Sequence, residues 1–135
     1  MKTVDVCAAV VRRGPRFLLA TRPADSHLSG KWEFPGGKLH PGESPAQCIA
    51  RELHEELDLD VCAAHPVTTL DHTYPTFRIR LLFLECTLTH PEAEPLCREG
   101  QQAGWFTVGE MEGMDLAPAD RPFVEHLRTV SATPA

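Results

Sequence analysis

Val4 to Val11 is rich in β-branched residues and reads as a strand, Arg13-Gly14-Pro15 as a turn, and Phe17 to Ala20 as the returning strand. Trp32-Glu33-Phe34 predicts a short strand that runs into Pro35-Gly36-Gly37, followed by a loop from Lys38 to Glu43. The hydrophobic period then changes. Ile49, Leu53 and Leu57 recur every four residues, which predicts a helix with one apolar stripe and charged opposite faces. Ser44-Pro45-Ala46-Gln47 sets its start: Ser44 as N-cap, Pro45 at the first helical position and Gln47 completing a capping box. The helix therefore runs from Pro45 to about Asp58. Beyond it, Val61 to Leu70 and Phe77 to Cys86 read as strands, the second alternating through Ile79, Leu81 and Phe83. Residues 88–104 read as a loop punctuated by Pro91, Pro95, Gly100 and Gly104. Trp105 to Val108 is a last short strand, and Pro122 to Thr129 a C-terminal helix with Phe123 and Leu127 four apart. The sum is a mixed α+β chain.

Composition narrows the class. With 135 residues the chain fits one domain, 1–135, large enough to bury about two-thirds of its unfolded surface. Hydrophobic content of 42% beside 24% charged residues excludes the disordered and membrane classes. The opening MKTVDVCAAVV is cut off by Arg12 and Arg13, too short for a signal peptide or a membrane span, and the expected setting is the cytoplasm. Cysteines at 7, 48, 62, 86 and 97 form no CxxC pair and no cysteine/histidine cluster, so neither a zinc site nor a disulfide framework is expected. A net charge of −6 disfavours a grip on polymeric nucleic acid. A small polyphosphate remains open, because divalent ions can sit between carboxylates and phosphate oxygens.

The carboxylates are there. Glu52, Glu55 and Glu56 lie at i, i+3 and i+4 of the helix, so at about 100° per residue their side chains converge on one edge. Like charges so placed cost helix stability, and something cationic should offset them. A solvated acidic face with Arg51 pairing Glu55 would explain such a pattern on most glutamate-rich helices. The surrounding residues argue otherwise. Gly37, five residues, Glu43, seven residues, then Arg51-Glu52-Leu53-His54-Glu55-Glu56-Leu57-Asp58-Leu59 resembles the Nudix box at every defining position but one. Six such matches at residue frequencies of roughly 6–7% arise by chance on the order of once in 10⁷ starting points.

The resemblance implies a Nudix fold, a mixed β-sheet sandwiched between helices (α/β/α), and a hydrolase using Mg²⁺, for which Mn²⁺ can substitute. Glu52, Glu55 and Glu56 would be metal ligands joined by the carbonyl of Gly36, Arg51 would orient the glutamates, and a metal-bound water would be the nucleophile. The one departure is Asp58, where the box has glycine just past the helix; aspartate takes the left-handed conformation at modest cost. Thr21-Arg22-Pro23, Lys31 to Lys38 and Arg98-Glu99-Gly100-Gln101 ending in Trp105 extend the similarity to the MutT-like branch. That branch implies cleavage of a nucleoside triphosphate to monophosphate and pyrophosphate by attack at the β-phosphorus. It also implies Glu99 as a further ligand or base, and Arg22, Gly37 and Lys38 at the substrate. Glu52 is the first choice for general base, Glu99 the second.

Leu116 to Phe123 is similar to the base-reading segment of the branch, especially of its cytidine-triphosphate-cleaving members, with Asp120 as the reader. A carboxylate accepts from the exocyclic amino group of cytosine; a protonated Asp120 could also donate and admit an oxidised guanine. Asp120 could equally cap the helix beginning near Pro122. Phe34 is either a stacking platform for the base or core. His27, His54, His72 and Tyr74 have no spacing that singles them out. Cytosine nucleotides, including modified or oxidised ones, are thus the expected substrates in a sanitising role, with 8-oxo-dGTP as the alternative. A sugar nucleotide or dinucleoside polyphosphate, and a nucleotide-sensing domain without catalysis, are further readings. The expected assembly is a monomer or homodimer.

Overall fold

A computed structural model describes residues 1–23 and 28–131. The first strand, β1 (Lys2–Arg13), organises the molecule because it is long enough to serve several partners. Its middle, Val6 to Ala8, pairs antiparallel with β4 (Gly36–Lys38), its far end turns at Gly14 (φ 58°) into β2 (Arg16–Thr21), and its other edge runs parallel to β6 (Phe77–Leu88). β5 (Val61–Thr73) pairs antiparallel with β6, while β3 (Trp32–Glu33) and β7 (Ala103–Thr107) flank β2. The sheet is therefore mixed, as the expected fold requires.

The period of two along β1 assigns its side chains to two cores. Cys7, Ala9 and Val11 pack with Ile49, Leu53 and Leu57 of α1 (Pro45–Leu57) on one face. Ala8 and Val10 pack with Phe34, Phe83, Met111 and Phe123 on the other, under the single-turn α2 (Val108–Met111) and α3 (Arg121–Ser131). Helices thus cover both faces. No helix among the described residues is long and apolar enough to cross a membrane.

The start of α1 follows its sequence signals: the Gln47 N–H donates to Ser44 Oγ at 3.1 Å, and the Ser44 N–H to Gln47 Oε1 at 2.9 Å. Its end is formed by Asp58 in the left-handed region (φ 55°, ψ 37°), with the N–H groups of Asp58 and Leu59 both turned to the Leu53 carbonyl. Leu59 and Leu53 are both buried, which gives this Schellman-type end its apolar contact. Two features differ from expectation. Gly36 to Lys38 forms a strand of its own, so Lys38 is not yet in the loop expected from Lys38 to Glu43, and α2 appears where the last strand was expected to end, its turn fixed by a capping box between Thr107 and Glu110.

Candidate active site

Charge accumulates at the inner edge of α1. Arg51 is the organising group: Nε and Nη2 donate to the two oxygens of Glu43 at 2.7 and 2.9 Å, Nη1 to Glu52 at 2.8 Å, and Nη2 also to the Lys38 carbonyl at 3.1 Å. The bidentate pair pulls the Glu43 carboxyl down to about 2, so it stays a fixed anion that anchors the guanidinium. Arg51 is thus hydrogen-bonded to Glu52 and is itself held by Glu43.

Glu52 and Glu56, one turn apart, share a hydrogen bond and face a common cavity of about 740 Å³. Burial, this hydrogen bond and the charges of Glu52, Glu99 and Glu33 push the Glu56 carboxyl up to about 9. Glu55 does not join them. It stays exposed, 3.6 Å from the Arg51 guanidinium four residues earlier, and this ion pair holds it on the neighbouring edge. Among the described residues no three acidic, histidine or cysteine side chains close around one point. The expected convergence of three carboxylates is thus corrected to two, with Glu55 beside them.

The donor set nonetheless suits a hard divalent cation. Oxygen ligands line this end of the cavity, their mutual repulsion raises Glu56, and the backbone leaves room for them. A Cβ at Gly37 would stand 2.4 Å from the Glu52 carboxylate, so only glycine lets that carboxylate lie against β4. Gly36 lines the same wall, and Lys38 and His40 the rim.

The raised Glu56 carboxyl has a consequence for the metal-free protein. Its folded value lies above the ordinary carboxylate value, so between the two the native state binds more protons than the unfolded state. The stabilisation is complete below about pH 4.5 and is lost as pH rises towards about 9. In EDTA, the unfolding midpoint of wild type should fall between pH 5 and 9, and Glu56→Gln should make that slope shallower. Equal slopes in the two proteins would count against it.

The other end of the cavity is built by the segment after Leu116. Asp120 is 3% exposed, within a 3-10 turn (Pro118–Asp120), and its Oδ2 accepts from the Phe34 N–H at 2.9 Å. Burial pushes its carboxyl well above the usual range and the charge of Glu33 adds to this, while the Phe34 N–H and Arg22 pull back. Arg22 lines the cavity, donating to Glu33 at 2.9 Å, so its guanidinium is engaged by a carboxylate near the Asp120 end. Of the two readings of Phe34, stacking platform or core, the structure has the second. Its ring is 2% exposed and packs edge-on against Phe83 and Phe123, so it is core, and only its backbone N–H serves the site.

Aromatic lining comes instead from Tyr74 and Phe77, whose rings stack with centroids 5.0 Å apart. Tyr74 bonds the backbone of Ala119 and feels the charges of Asp120, Arg22 and Glu33. Sequence reasoning passed over both Tyr74 and Glu33; the one available signal was an acid inside the apolar run Trp32 to Phe34. His54 and His72 remain outside the cavity, the first beside Asp60 and the second against Tyr74. His27 lies outside the described residues. Glu99 is exposed on the loop before β7 and acts on Glu56 through its charge.

The chain matches the NUDIX domain over residues 6–126. It is 35% identical over 132 residues to the CTP pyrophosphohydrolase of Escherichia coli K12, covering 98% of this chain and 96% of that protein. It is 32% identical over 129 residues to the 8-oxo-dGTP diphosphatase of the same organism, covering 95% and 98%. The solution structure of the E. coli ORF135 protein superposes with a TM-score of 0.80 at 34% identity, covering 98% of this chain and 93% of that one.

Proposed function

The chain belongs to the Nudix family as a MutT-like hydrolase, and from that premise we propose that it cleaves a cytosine nucleoside triphosphate to the monophosphate and pyrophosphate, with Mg²⁺ as cofactor and Mn²⁺ able to substitute. The observation that carries the proposal is the single cavity of about 740 Å³ that joins the Glu52 and Glu56 carboxylates at one end to buried Asp120 at the other. Its size suits one nucleotide.

Glu52, Glu56 and the carbonyl of Gly36 would hold the divalent ion, with Glu55 and Glu99 as further candidate donors. A bound divalent ion would neutralise phosphate charge and acidify the attacking water. The chain's own residues do the rest. Glu52, held by Arg51, takes the proton as water attacks the β-phosphorus, the α–β anhydride bond breaks and the nucleoside monophosphate leaves, and Lys38 meets phosphate oxygens at the rim. Val4, Val6, Ile79 and Leu81 form an apolar wall that excludes bulk water. Tyr74 and Phe77 offer ring faces to the base.

Asp120 supplies the choice of base. Kept neutral by burial, its carboxyl offers one acceptor and one donor, the complement of the N4 amino group and N3 edge of cytosine. The same neutral carboxyl could donate to O6 and accept from an N–H group of an oxidised guanine. The similarity to an 8-oxo-dGTP diphosphatase makes that the second reading.

The test is pyrophosphate release with Mg²⁺ from CTP, dCTP, 5-methyl-dCTP, 8-oxo-dGTP, dGTP and ADP-ribose. A cytosine nucleotide should lead in kcat/KM by about tenfold or more, the value of one well-made bidentate contact. Asparagine also donates and accepts, so Asp120→Asn should keep that preference, whereas Asp120→Ala should lose it. A lead for 8-oxo-dGTP would replace cytosine by oxidised guanine.

A further inference from the structure

Asp58, where the box has glycine, and Arg98 on the loop before β7 meet in an ion pair. The contact does not stand alone. Leaving the last turn of a helix exposes carbonyl groups without intrahelical partners. Here the Arg98 N–H donates to the Glu56 carbonyl at 3.0 Å and the Leu96 N–H to the Leu57 carbonyl at 2.9 Å. The loop is thereby stitched to the end of the carboxylate helix through both backbone and side chain. Glu99 follows Arg98 directly, and its N–H donates to the side chain of Gln101, which is 9% exposed, so the turn at Gly100 is fixed from within.

A second anchor holds the loop's other end. The Arg13 guanidinium lies 3.9 Å from the Trp105 ring centroid, donates to the Pro91 and Ala93 carbonyls at 2.9 Å, and pairs with Glu94. The two anchors leave the loop little freedom up to Arg98, and the next residue, Glu99, bears on Glu56 through its charge.

We infer that Asp58 and Arg98 form a clamp that sets Glu99 against the carboxylate helix, which makes Arg98 a positioning residue for the cation-holding end of the site. The inference rests on the reading of Glu52, Glu56 and Glu99 as candidate ligands. It also explains the departure from the box: aspartate in the left-handed position gives up glycine's backbone freedom for a carboxylate aimed at the loop. Both side chains are 45% exposed, so the pair adds little to global stability and its effect is local.

The experiment measures Mn²⁺ binding to the nucleotide-free protein by electron paramagnetic resonance, beside thermal midpoints in EDTA. Arg98→Ala should weaken Mn²⁺ binding about tenfold, the low end for a group that orients a ligand, and Arg98→Lys should restore most of it. Asp58→Gly suits φ 55° better than aspartate, so it should keep or raise the midpoint yet show the same loss of Mn²⁺. In a Glu99→Gln background, Arg98→Ala should have no further effect. If Arg98→Ala leaves Mn²⁺ binding intact while Glu99→Gln weakens it, the clamp is wrong and the site reading stands. If its effect persists undiminished beside Glu99→Gln, Arg98 acts by another route. If wild type takes up no Mn²⁺, or Glu56→Gln leaves binding unchanged, the site reading itself fails and the clamp falls with it.

Discussion

Glutamine at position 52 is expected to lower kcat by about 10³- to 10⁴-fold while leaving the metal-free protein folded, the loss typical of removing a general base at the upper end of its contribution. Shape explains the intact fold. The Glu52 side chain is 12% exposed and accepts from Arg51 at 2.8 Å. A glutamine of the same volume can still accept that bond through Oε1, and its amide can donate to Glu56. Glu56 is protonated below about 9 and keeps a neutral partner, so the midpoint in EDTA at neutral pH should stay near that of wild type. Turnover falls because an amide cannot take a proton from water at neutral pH. Glu99→Gln, on an exposed loop, should cost only about 10- to 100-fold. The pair of measurements decides between the two candidate bases: a smaller loss at Glu52 than at Glu99 would transfer the proton-accepting role to the loop, and a Glu52→Gln enzyme within tenfold of wild type would remove Glu52 from it.

What the sequence made legible divides along a physical line. α1 came out with its N-cap, capping box and stripe because Ser44, Pro45, Gln47, Ile49, Leu53 and Leu57 all act within one helix. Arg51, Glu52 and Glu56 were legible for the same reason, since a helix converts spacing into geometry, whereas Glu43, in the loop before α1, was legible only through its place in the box. Elements fixed by distant partners were less legible. β1 runs from Lys2 to Arg13, beyond the Val4 to Val11 stretch, because β6 supplies a parallel partner from Lys2↔Phe77 onward. A separate strand at Gly36 to Lys38 was not expected, yet Gly36 and Gly37 pair with Ala8 and Cys7 because a backbone without Cβ atoms can approach there. Hydrophobicity alone does not say which way a ring points, and so Phe34 was weighed as a platform when Phe83 and Phe123 enclose it. The Asp120 end of the cavity is assembled from β3, the Tyr74 turn and the Pro118 to Asp120 segment, none adjacent in the chain. No local spacing joins Glu33, Tyr74 and Asp120. Glu55 shows the opposite limit: its place in the box is plain, but Arg51 determines where its carboxylate rests.

The two glycines of β4 separate stability from catalysis. A Cβ added at Gly36 would fall 1.9 Å from the Cys7 carbonyl oxygen and 3.1 Å from the Ala8 Cα, backbone on both sides. Neither neighbour can turn away as a rotamer would, so β4 must separate from β1, where Ala8↔Gly36 and Cys7↔Gly37 are paired. Gly36→Ala is therefore expected to cost about 3 kcal/mol, the upper range for overpacking, and to lower the midpoint by on the order of 10 °C. A Cβ at Gly37 meets a different obstacle: the Glu52 carboxylate, 2.4 Å away at the free end of a side chain. Gly37→Ala should stay folded within a few degrees of wild type, because that end can swing aside. Its turnover should still fall by about 10²-fold or more, since displacing Glu52 breaks the alignment that Arg51 imposes. Circular dichroism melts of both variants beside pyrophosphate release make the comparison. Equal midpoints for the two variants would mean that β4 tolerates a side chain against β1. Near-normal turnover in Gly37→Ala would mean that the position of the Glu52 carboxylate does not limit the reaction, and proton acceptance would then have to be sought at Glu99.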